Sequence, residues 1–337
     1  MRSTLRLLAL LLTLGLFAAA CGDDSDDTAP AQSAETTAAE AETTETTAAT
    51  PETTEAPATT TADATPTSEA ETETETGFPS RIVSLSPSST EILFAIGAGD
   101  QVVAVDAFSY YPEEAPVTDL SGFTPNVEAI LAFEPDLVVW SGGPEDVAGA
   151  LDAAGVPLIS HFAPVDFEGI YAQIAELGTA TGQIDGAAEL VASMRADLDE
   201  IAASVVARDE PITYFHEVGT EYYSATSSTF IGNIYGLANM ENIADPADPD
   251  GEQFGFPLLN EEFILDADPD LIFLADTIGY GQSAETVAAR PGWENLQAVQ
   301  NGRVIELNDD IVSRWGPRVV DFARQVIEAV NAFEPVG

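Results

Sequence analysis

The chain has 337 residues, with 58 acidic residues against ten arginines and no lysine, and its formal net charge at pH 7 is −48. So acidic a chain lacks the basic surface that nucleic acids and anionic lipids require, and we expect neither as a partner. The single cysteine, Cys21, excludes an internal disulfide and a cluster of cysteine metal ligands.

The first 20 residues are typical of an export signal. Arg2 and Arg6 precede an apolar run from Leu7 to Phe17, which is too short to cross a bilayer as a helix, and three alanines follow. Cys21 stands where the acylated cysteine of a bacterial lipoprotein would stand. This position predicts lipidation and attachment to the outer face of the cell membrane. Cleavage without acylation, which would release a soluble protein, is the alternative.

Residues 21–79 are predicted to form a disordered tether. They are mainly Thr, Glu, Ala, Asp and Pro, which bury too little apolar surface to offset the loss of chain entropy. A flexible coil of this length spans roughly 40 Å on average. We expect the tether to hold a folded domain away from the membrane, with the lipid as its only membrane contact.

The folded part contains an internal repeat. The segment Asn126–Trp140 (NVEAILAFEPDLVVW) is echoed by Asn260–Leu274 (NEEFILDADPDLIFL), and Ser88-Ser89-Thr90 is echoed by Ser227-Ser228-Thr229. Two copies of one supersecondary unit in the same order predict two similar lobes. Small molecules usually bind in clefts between such lobes.

Short apolar runs alternate with helical patterns from residue 81 onward, which is typical of βαβ units and predicts an α/β fold with mostly parallel sheets. The predicted strands are 81–85, 102–105, 137–140, 157–161, 212–215, 271–274 and 304–307. The predicted helices are 89–96, 127–133, 144–154, 228–235, 261–265, 284–289 and 317–333.

A different element separates the two halves. From 182 to 208 apolar residues recur every three or four positions, which predicts one amphipathic helix ended by Pro211. The predicted organisation is therefore a first lobe at 80–181, a connecting helix at 182–209 and a second lobe at 210–337. A single stiff helix between lobes favours small opening and closing motions.

The run Arg81–Asp106 (RIVSLSPSSTEILFAIGAGDQVVAVD), the two Asn-x-Glu…Pro-Asp-Leu segments and Ser313–Arg318 (SRWGPR) resemble the iron-siderophore and vitamin B12 substrate-binding proteins of ABC importers. The resemblance covers residues 80–334. It implies two Rossmann-like lobes joined by one long helix, and a metal chelate held between them. It also implies that the protein delivers this chelate to a membrane permease driven by a cytoplasmic ATPase. We expect the protein to be a monomer and to need no cofactor of its own.

The resemblance also implies site residues. Glu128 and Glu262 match the acidic residues that dock onto arginines of the permease; Glu91 is a nearby rival without a counterpart in the repeat. The alternative for Glu128 and Glu262 is that each merely occupies a first helical turn, where negative charge suits the helix dipole. The residues predicted to line the ligand cleft are Phe108, Phe123, Trp140, Tyr223, Phe256, Asp310 and Arg314. For Trp140 the alternative is core packing at a strand end.

The ligand remains open between a corrinoid, a hydroxamate chelate and a catecholate chelate, with heme as a further alternative. A receptor for bare zinc or manganese would need a His-rich cluster, whereas the chain has only His161 and His216. An extracytoplasmic enzyme is the other alternative. Ser86 and Ser88 follow a predicted strand but lack a Gly-x-Ser-x-Gly elbow, so neither a catalytic nor a metal site is predicted.

Overall fold

The computed structural model describes residues 77–335. The predicted export signal, the lipidation site Cys21 and all but the last three residues of the predicted tether lie outside this range. None of the helices within it is long and apolar enough to cross a membrane.

The first lobe is a four-stranded parallel sheet with helices in its connections. The strand order is β2-β1-β3-β4, with β1 and β3 in the centre. Its elements in chain order are β1 Ile82–Leu85, α1 Pro87–Ala95, β2 Val102–Val105, α2 Val127–Leu131, β3 Leu137–Trp140, α3 Glu145–Ala153, β4 Leu158–Ser160 and α4 Phe167–Thr181.

The helix α5, Ile184–Ala203, leads to a second lobe built in the same way. The strand order β6-β5-β7-β8 repeats that of the first lobe, and all pairs are again parallel. Its elements in chain order are β5 Thr213–Glu217, α6 Phe230–Gly236, β6 Glu241–Asn242, α7 Glu261–Ala267, β7 Leu271–Leu274, α8 Ala284–Ala288, α9 Gln297–Gln300, β8 Val304–Glu306, α10 Asp309–Val312 and α11 Val319–Asn331.

The internal repeat corresponds to equivalent elements of the two lobes. Asn126 caps α2 and Asn260 caps α7, and each accepts a hydrogen bond from the backbone N–H three residues later. Each helix leads into a fully buried central strand, β3 or β7. The predicted fold class, two α/β lobes with parallel sheets, is confirmed.

The region between the sheets differs from the prediction. Gly182 does not open a helix; it ends the unpredicted 15-residue α4, in the left-handed conformation that glycine tolerates. The following helix ends at Ala203, eight residues before Pro211, because Ser204 caps it and an irregular segment leads into β5. The two helices pack against each other through close contacts, since a Cβ on Gly178 would lie 2.4 Å from the Cβ of Ala187.

One hydrophobic core runs through both lobes. Buried residues of the first sheet and α4, such as Ile82 and Ile174, belong to the same cluster as Met194 of α5 and Tyr214 and Phe322 of the second lobe. Each lobe also has one smaller hydrophobic cluster of its own, on the other side of its sheet. The lobes are therefore joined by shared packing as well as by the chain.

Candidate functional site

The loops that follow the carboxyl ends of the strands meet between the lobes. Phe108 follows β2 of the first lobe, and its carbonyl oxygen accepts a hydrogen bond of 3.1 Å from Arg314, which follows β8 and α10 of the second lobe. In open parallel sheets, ligands bind at this edge, outside the carboxyl ends of the strands. We call the space between these loops the inter-lobe cleft.

Exposed aromatic rings stand on the first-lobe side of the cleft. Phe108 is 53% exposed and Phe123 is 79% exposed, and their rings meet edge to face with centroids 5.8 Å apart. Asp106 fixes the loop beneath them by accepting hydrogen bonds from the N–H of Phe108 and the hydroxyl of Ser109. Apolar rings held in water in this way offer surface that a ligand can cover.

Trp140 is not part of this exposed surface. It is 1% exposed and packs in the core on one side of the first sheet, where its Nε1 donates a 2.7 Å hydrogen bond to the carbonyl of Gly122. The prediction that Trp140 lines the cleft is therefore corrected to the alternative of core packing at the end of β3. Its role at the site is indirect, because it holds the loop that carries Phe123.

Arg314 and Asp310 lie at the floor of the cleft, but they bind each other and the protein. Arg314 is 7% exposed; it donates to Asp310 at 2.7 Å and to Glu91 of the first lobe at 3.2 Å. The second carboxylate oxygen of Asp310 accepts a hydrogen bond from the hydroxyl of Tyr110. Both groups therefore tie the lobes together, and their contact with a ligand stays a prediction.

Glu91 is the centre of this inter-lobe network. It is 2% exposed on α1 and accepts from Arg318 at 2.9 Å, in addition to Arg314. A carboxylate this deeply buried is not available to a permease, which removes Glu91 as a rival docking residue. Two guanidiniums from one lobe converge on one carboxylate of the other, and both partners are shielded from water.

The second-lobe side of the cleft is formed by Tyr223 and the segment after β7. Tyr223 is 42% exposed and forms an isolated antiparallel bridge with Leu258, whereas Phe256 is half-buried and packs against the shared core. Ile278 and Tyr280, neither of them predicted, are more than half exposed in the loop after β7. Tyr280 lies beside Gly219, which follows β5.

Beneath that loop lies a buried acidic pair. Glu217, at the end of β5, is 0% exposed and receives two hydrogen bonds from Arg290, at 2.7 and 2.6 Å. Asp276 is 1% exposed, and neither of its oxygens accepts a hydrogen bond from the described residues. Burial, and then the neighbouring Glu217, raise the pKa of Asp276 to about 7.

The two histidines pack inside separate lobes. His161 is bound to Glu176 of α4 at 3.2 Å, and His216 is bound to the hydroxyl of Tyr235 at 2.7 Å. Burial lowers the pKa of His216 to about 3, so its ring is neutral at physiological pH. Within residues 77–335, no three His, Cys, Asp or Glu side chains are placed to hold a metal ion.

Several site residues were missed by the sequence analysis. Tyr110 and Tyr111 are each almost half exposed and lie against Arg314 and Arg318, and Phe162 follows β4 with 65% of its surface exposed. Their position in the segments that follow predicted parallel strands is the signal that would have found them. The pairing of Arg318 with Glu91 leaves no such signal, because the two residues are 227 positions apart in the sequence.

The fold and site match a known family. The family model described as "Periplasmic binding protein" matches residues 82–311, which covers both sheets and the inter-lobe cleft. This chain is a periplasmic binding protein.

Three proteins illustrate what this periplasmic binding protein is similar to. An uncharacterized ABC transporter substrate-binding lipoprotein of Bacillus subtilis is 31% identical over 261 residues, covering 75% of this chain and 80% of the relative. A cobalamin-binding protein of Halobacterium salinarum is 32% identical over 268 residues, covering 76% and 69%. The apo structure of the periplasmic heme-binding protein of Roseiflexus is 25% identical, with a TM-score of 0.65, and covers 75% of this chain and 98% of that one.

Glu128 and Glu262 occupy equivalent, exposed positions of this periplasmic binding protein. Each lies in the first turn of its helix, α2 or α7, two residues after the capping asparagine. Neither forms an ion pair with any residue that the structure describes. The geometry thus agrees with the symmetry of the sequence repeat, although a first-turn carboxylate also suits the helix dipole.

Proposed function

We propose that this protein is the extracytoplasmic receptor of an ABC importer and that it captures a metal chelate in the inter-lobe cleft. Membership of a family of binding proteins and similarity to an ABC transporter substrate-binding lipoprotein support the transport role. One relative is named for binding cobalamin and another for binding heme. Each of these ligands holds a metal in a flat macrocycle, which supports a ligand of that kind for this protein.

The observation that carries this proposal is the set of exposed aromatic rings on both sides of the cleft. Phe108 and Phe123 from the first lobe and Tyr223 and Tyr280 from the second are each more than two-fifths exposed, although all are large. Aromatic faces pack well against a corrin ring or the apolar surface of a chelate, and their burial by a ligand releases water. A bare ion would gain nothing from such a surface.

Delivery to the permease is assigned to Glu128 and Glu262. Two exposed carboxylates, one on each lobe, each accept a bidentate arginine from a partner protein. Their equivalent placement in the repeat suits a permease whose two halves are alike. In this proposal Cys21 carries the lipid that holds the receptor at the outer face of the cell membrane.

A titration calorimetry experiment tests the ligand class. The full chain carrying Cys21→Ser, and therefore no lipid, is titrated with cyanocobalamin, a ferric hydroxamate chelate and heme. We expect one of them to bind, and the double substitution Phe108→Ala/Phe123→Ala to weaken that binding by about tenfold or more, because apolar ring surface is lost. The matched control is Phe78→Ala, which removes an exposed ring beside Gly182, away from the cleft. Binding of none of the three, or equal loss in the control, contradicts the proposal.

A further inference from the structure

The cleft of this receptor has no free positive charge. Residues 77–335 contain eight arginines and no lysine, and both histidines are buried, one of them with its pKa lowered to about 3. Only these groups could supply a cationic side chain to a ligand, so the position and partner of each arginine decide which ligand charge the cleft accepts.

Five of the eight arginines lie away from the cleft. Arg81, Arg208 and Arg303 precede strands β1, β5 and β8, so they stand at the amino ends of the sheets, on the opposite edge. All three donate to backbone carbonyl groups there. Arg195 on α5 is paired with Glu168, and Arg324 on α11 is paired with Asp321.

The remaining three arginines are at the carboxyl edge, but each forms ion pairs with carboxylates of the protein. Arg314 and Arg318 share Glu91, and Arg314 also binds Asp310. Arg290 is held by both oxygens of Glu217. Their side chains are only 8%, 16% and 13% exposed, so little of any guanidinium reaches the cleft.

Carboxyl groups outnumber these three arginines at least twofold at the same edge. They include Asp106, Glu91, Glu217, Asp276, Asp309 and Asp310. Two of the helices whose amino ends point to this edge, α3 and α10, each carry two acidic residues in their first turn, which offset the positive field of the helix; α1 and α6 carry none there. The amide groups after β7 are likewise taken, since Asp309 accepts hydrogen bonds from the backbone of Thr277, Ile278 and Gly279.

From this charge distribution we infer that the receptor selects an uncharged or cationic metal chelate and rejects polyanionic ones. The inference rests on the proposed function and narrows it. A corrinoid or a hydroxamate chelate carries little or no negative charge, whereas a ferric tris-catecholate is a trianion and heme carries two propionates. An anion in this cleft would lose hydration and meet an excess of carboxylates, without a free guanidinium to accept it.

The test compares ligands of different charge on the full chain with Cys21→Ser at low ionic strength. Cyanocobalamin and an uncharged ferric tris-hydroxamate are titrated beside heme and a ferric tris-catecholate. At about tenfold per unit of negative charge, the trianion should bind about 1,000-fold more weakly than the better uncharged probe. The gap should shrink in 0.5 M NaCl, because salt screens the repulsion; a gap that depended on shape alone would not move.

A charge variant isolates the cause. Asp310→Asn removes one carboxylate at the cleft floor and frees part of Arg314 while keeping side-chain size. It should raise the affinity for the trianion relative to that for the uncharged probe by about tenfold. The matched control is Asp185→Asn, an exposed first-turn acid of α5 at the opposite edge. It should change neither.

Two outcomes would overturn the inference in different ways. Preferential binding of the trianion or of heme would contradict the charge preference and leave the receptor assignment standing. Binding of no chelate of any charge would contradict the proposed function and, with it, the selectivity that rests on it.

Discussion

Glu91 is the residue on which the contact between the lobes depends most. It is almost fully buried and is the carboxylate partner of two arginines on the other lobe. Removing one member of a buried ion pair usually costs more than the pair contributes, because the remaining charges stay buried without compensation. The network therefore makes the floor of the cleft sensitive to a single substitution.

Glu91→Gln should lower the free energy of unfolding by about 3 kcal/mol, since it leaves two desolvated guanidiniums facing a neutral amide. Urea denaturation followed by circular dichroism measures the change. Glu168→Gln, which breaks the exposed pair with Arg195, is the control and should leave the urea midpoint essentially unchanged. Equal effects of the two substitutions would show that Glu91 does not hold the lobes together.

Asp276 gives the stability of the protein a pH dependence. Its pKa is raised from 3.8 to about 7, so between about pH 4 and pH 7 the folded state keeps a proton that the unfolded chain has released. Stability contributed by this group therefore falls as the pH rises through that window, and the loss is complete above pH 7. Asn at this position imitates the protonated acid and does not titrate.

The difference in unfolding free energy between Asp276→Asn and the unsubstituted protein should consequently grow in favour of the variant, by about 2–3 kcal/mol from pH 5 to pH 7. Urea titrations at several pH values measure it, and contributions from all other groups cancel in the comparison. Asp185→Asn provides a control whose difference stays flat. A flat difference for Asp276→Asn as well would mean that Asp276 is ionised throughout.

At the scale of elements, the pattern of apolar residues predicted the positions of most strands and helices. All seven predicted strands lie within two residues of the observed ends, because a run of apolar residues bounded by turn residues has few alternatives as a buried parallel strand. β6 was missed because two residues, Glu241 and Asn242, form no pattern. α4 was missed although Ile170, Ile174 and Leu177 recur at helical spacing.

The candidate site was predictable to a smaller extent. Phe108 and Phe123 are exposed and in contact with each other in the segment between β2 and α2, and their contact with a ligand stays a prediction. The partners of Trp140, Asp310 and Arg314 are set by tertiary contacts, and the sequence does not show that an arginine will meet a glutamate more than 200 residues away. Polar groups near a cleft are thus harder to assign than the aromatic groups that line it.

Two helix glycines offer a test of element packing. A Cβ on Gly186 of α5 would lie 2.2 Å from the carbonyl oxygen of Ile96, whereas a Cβ on Gly149 of α3 would meet nothing within 4 Å. Gly186→Ala should therefore destabilise the protein by about 1–3 kcal/mol through a clash with rigid backbone. Gly149→Ala should stabilise it by about 0.5–1 kcal/mol through helix propensity. Thermal or urea unfolding measures both, and a same-sign result would contradict the packing described for α5.

At the scale of the whole molecule, ligand binding and permease docking are assigned to different residues. Aromatic side chains line the cleft, whereas Glu128 and Glu262 are exposed in the first turns of α2 and α7. Substitutions in one set of residues should leave the function of the other intact.

The double substitution Glu128→Ala/Glu262→Ala should abolish uptake in cells while leaving chelate affinity within about twofold, because the carboxylates contact the partner and not the ligand. Uptake of labelled chelate and calorimetry on the purified chain measure the two effects. The control is Glu189→Ala/Glu200→Ala, which removes two exposed acids of α5. Loss of affinity in the docking variant, or loss of uptake in the control, would refute the assignment.

The hydrophobic core that continues from one lobe to the other through α5 holds the lobes together independently of the backbone that links them. α11 of the second lobe packs on α5, while α5 packs on α4 of the first lobe. The covalent link between the lobes, the irregular segment after Ser204, therefore adds little to what already holds them. A chain cut between Val206 and Glu210 should yield two fragments that find each other and fold together, so that this receptor is divisible into a self-assembling split protein.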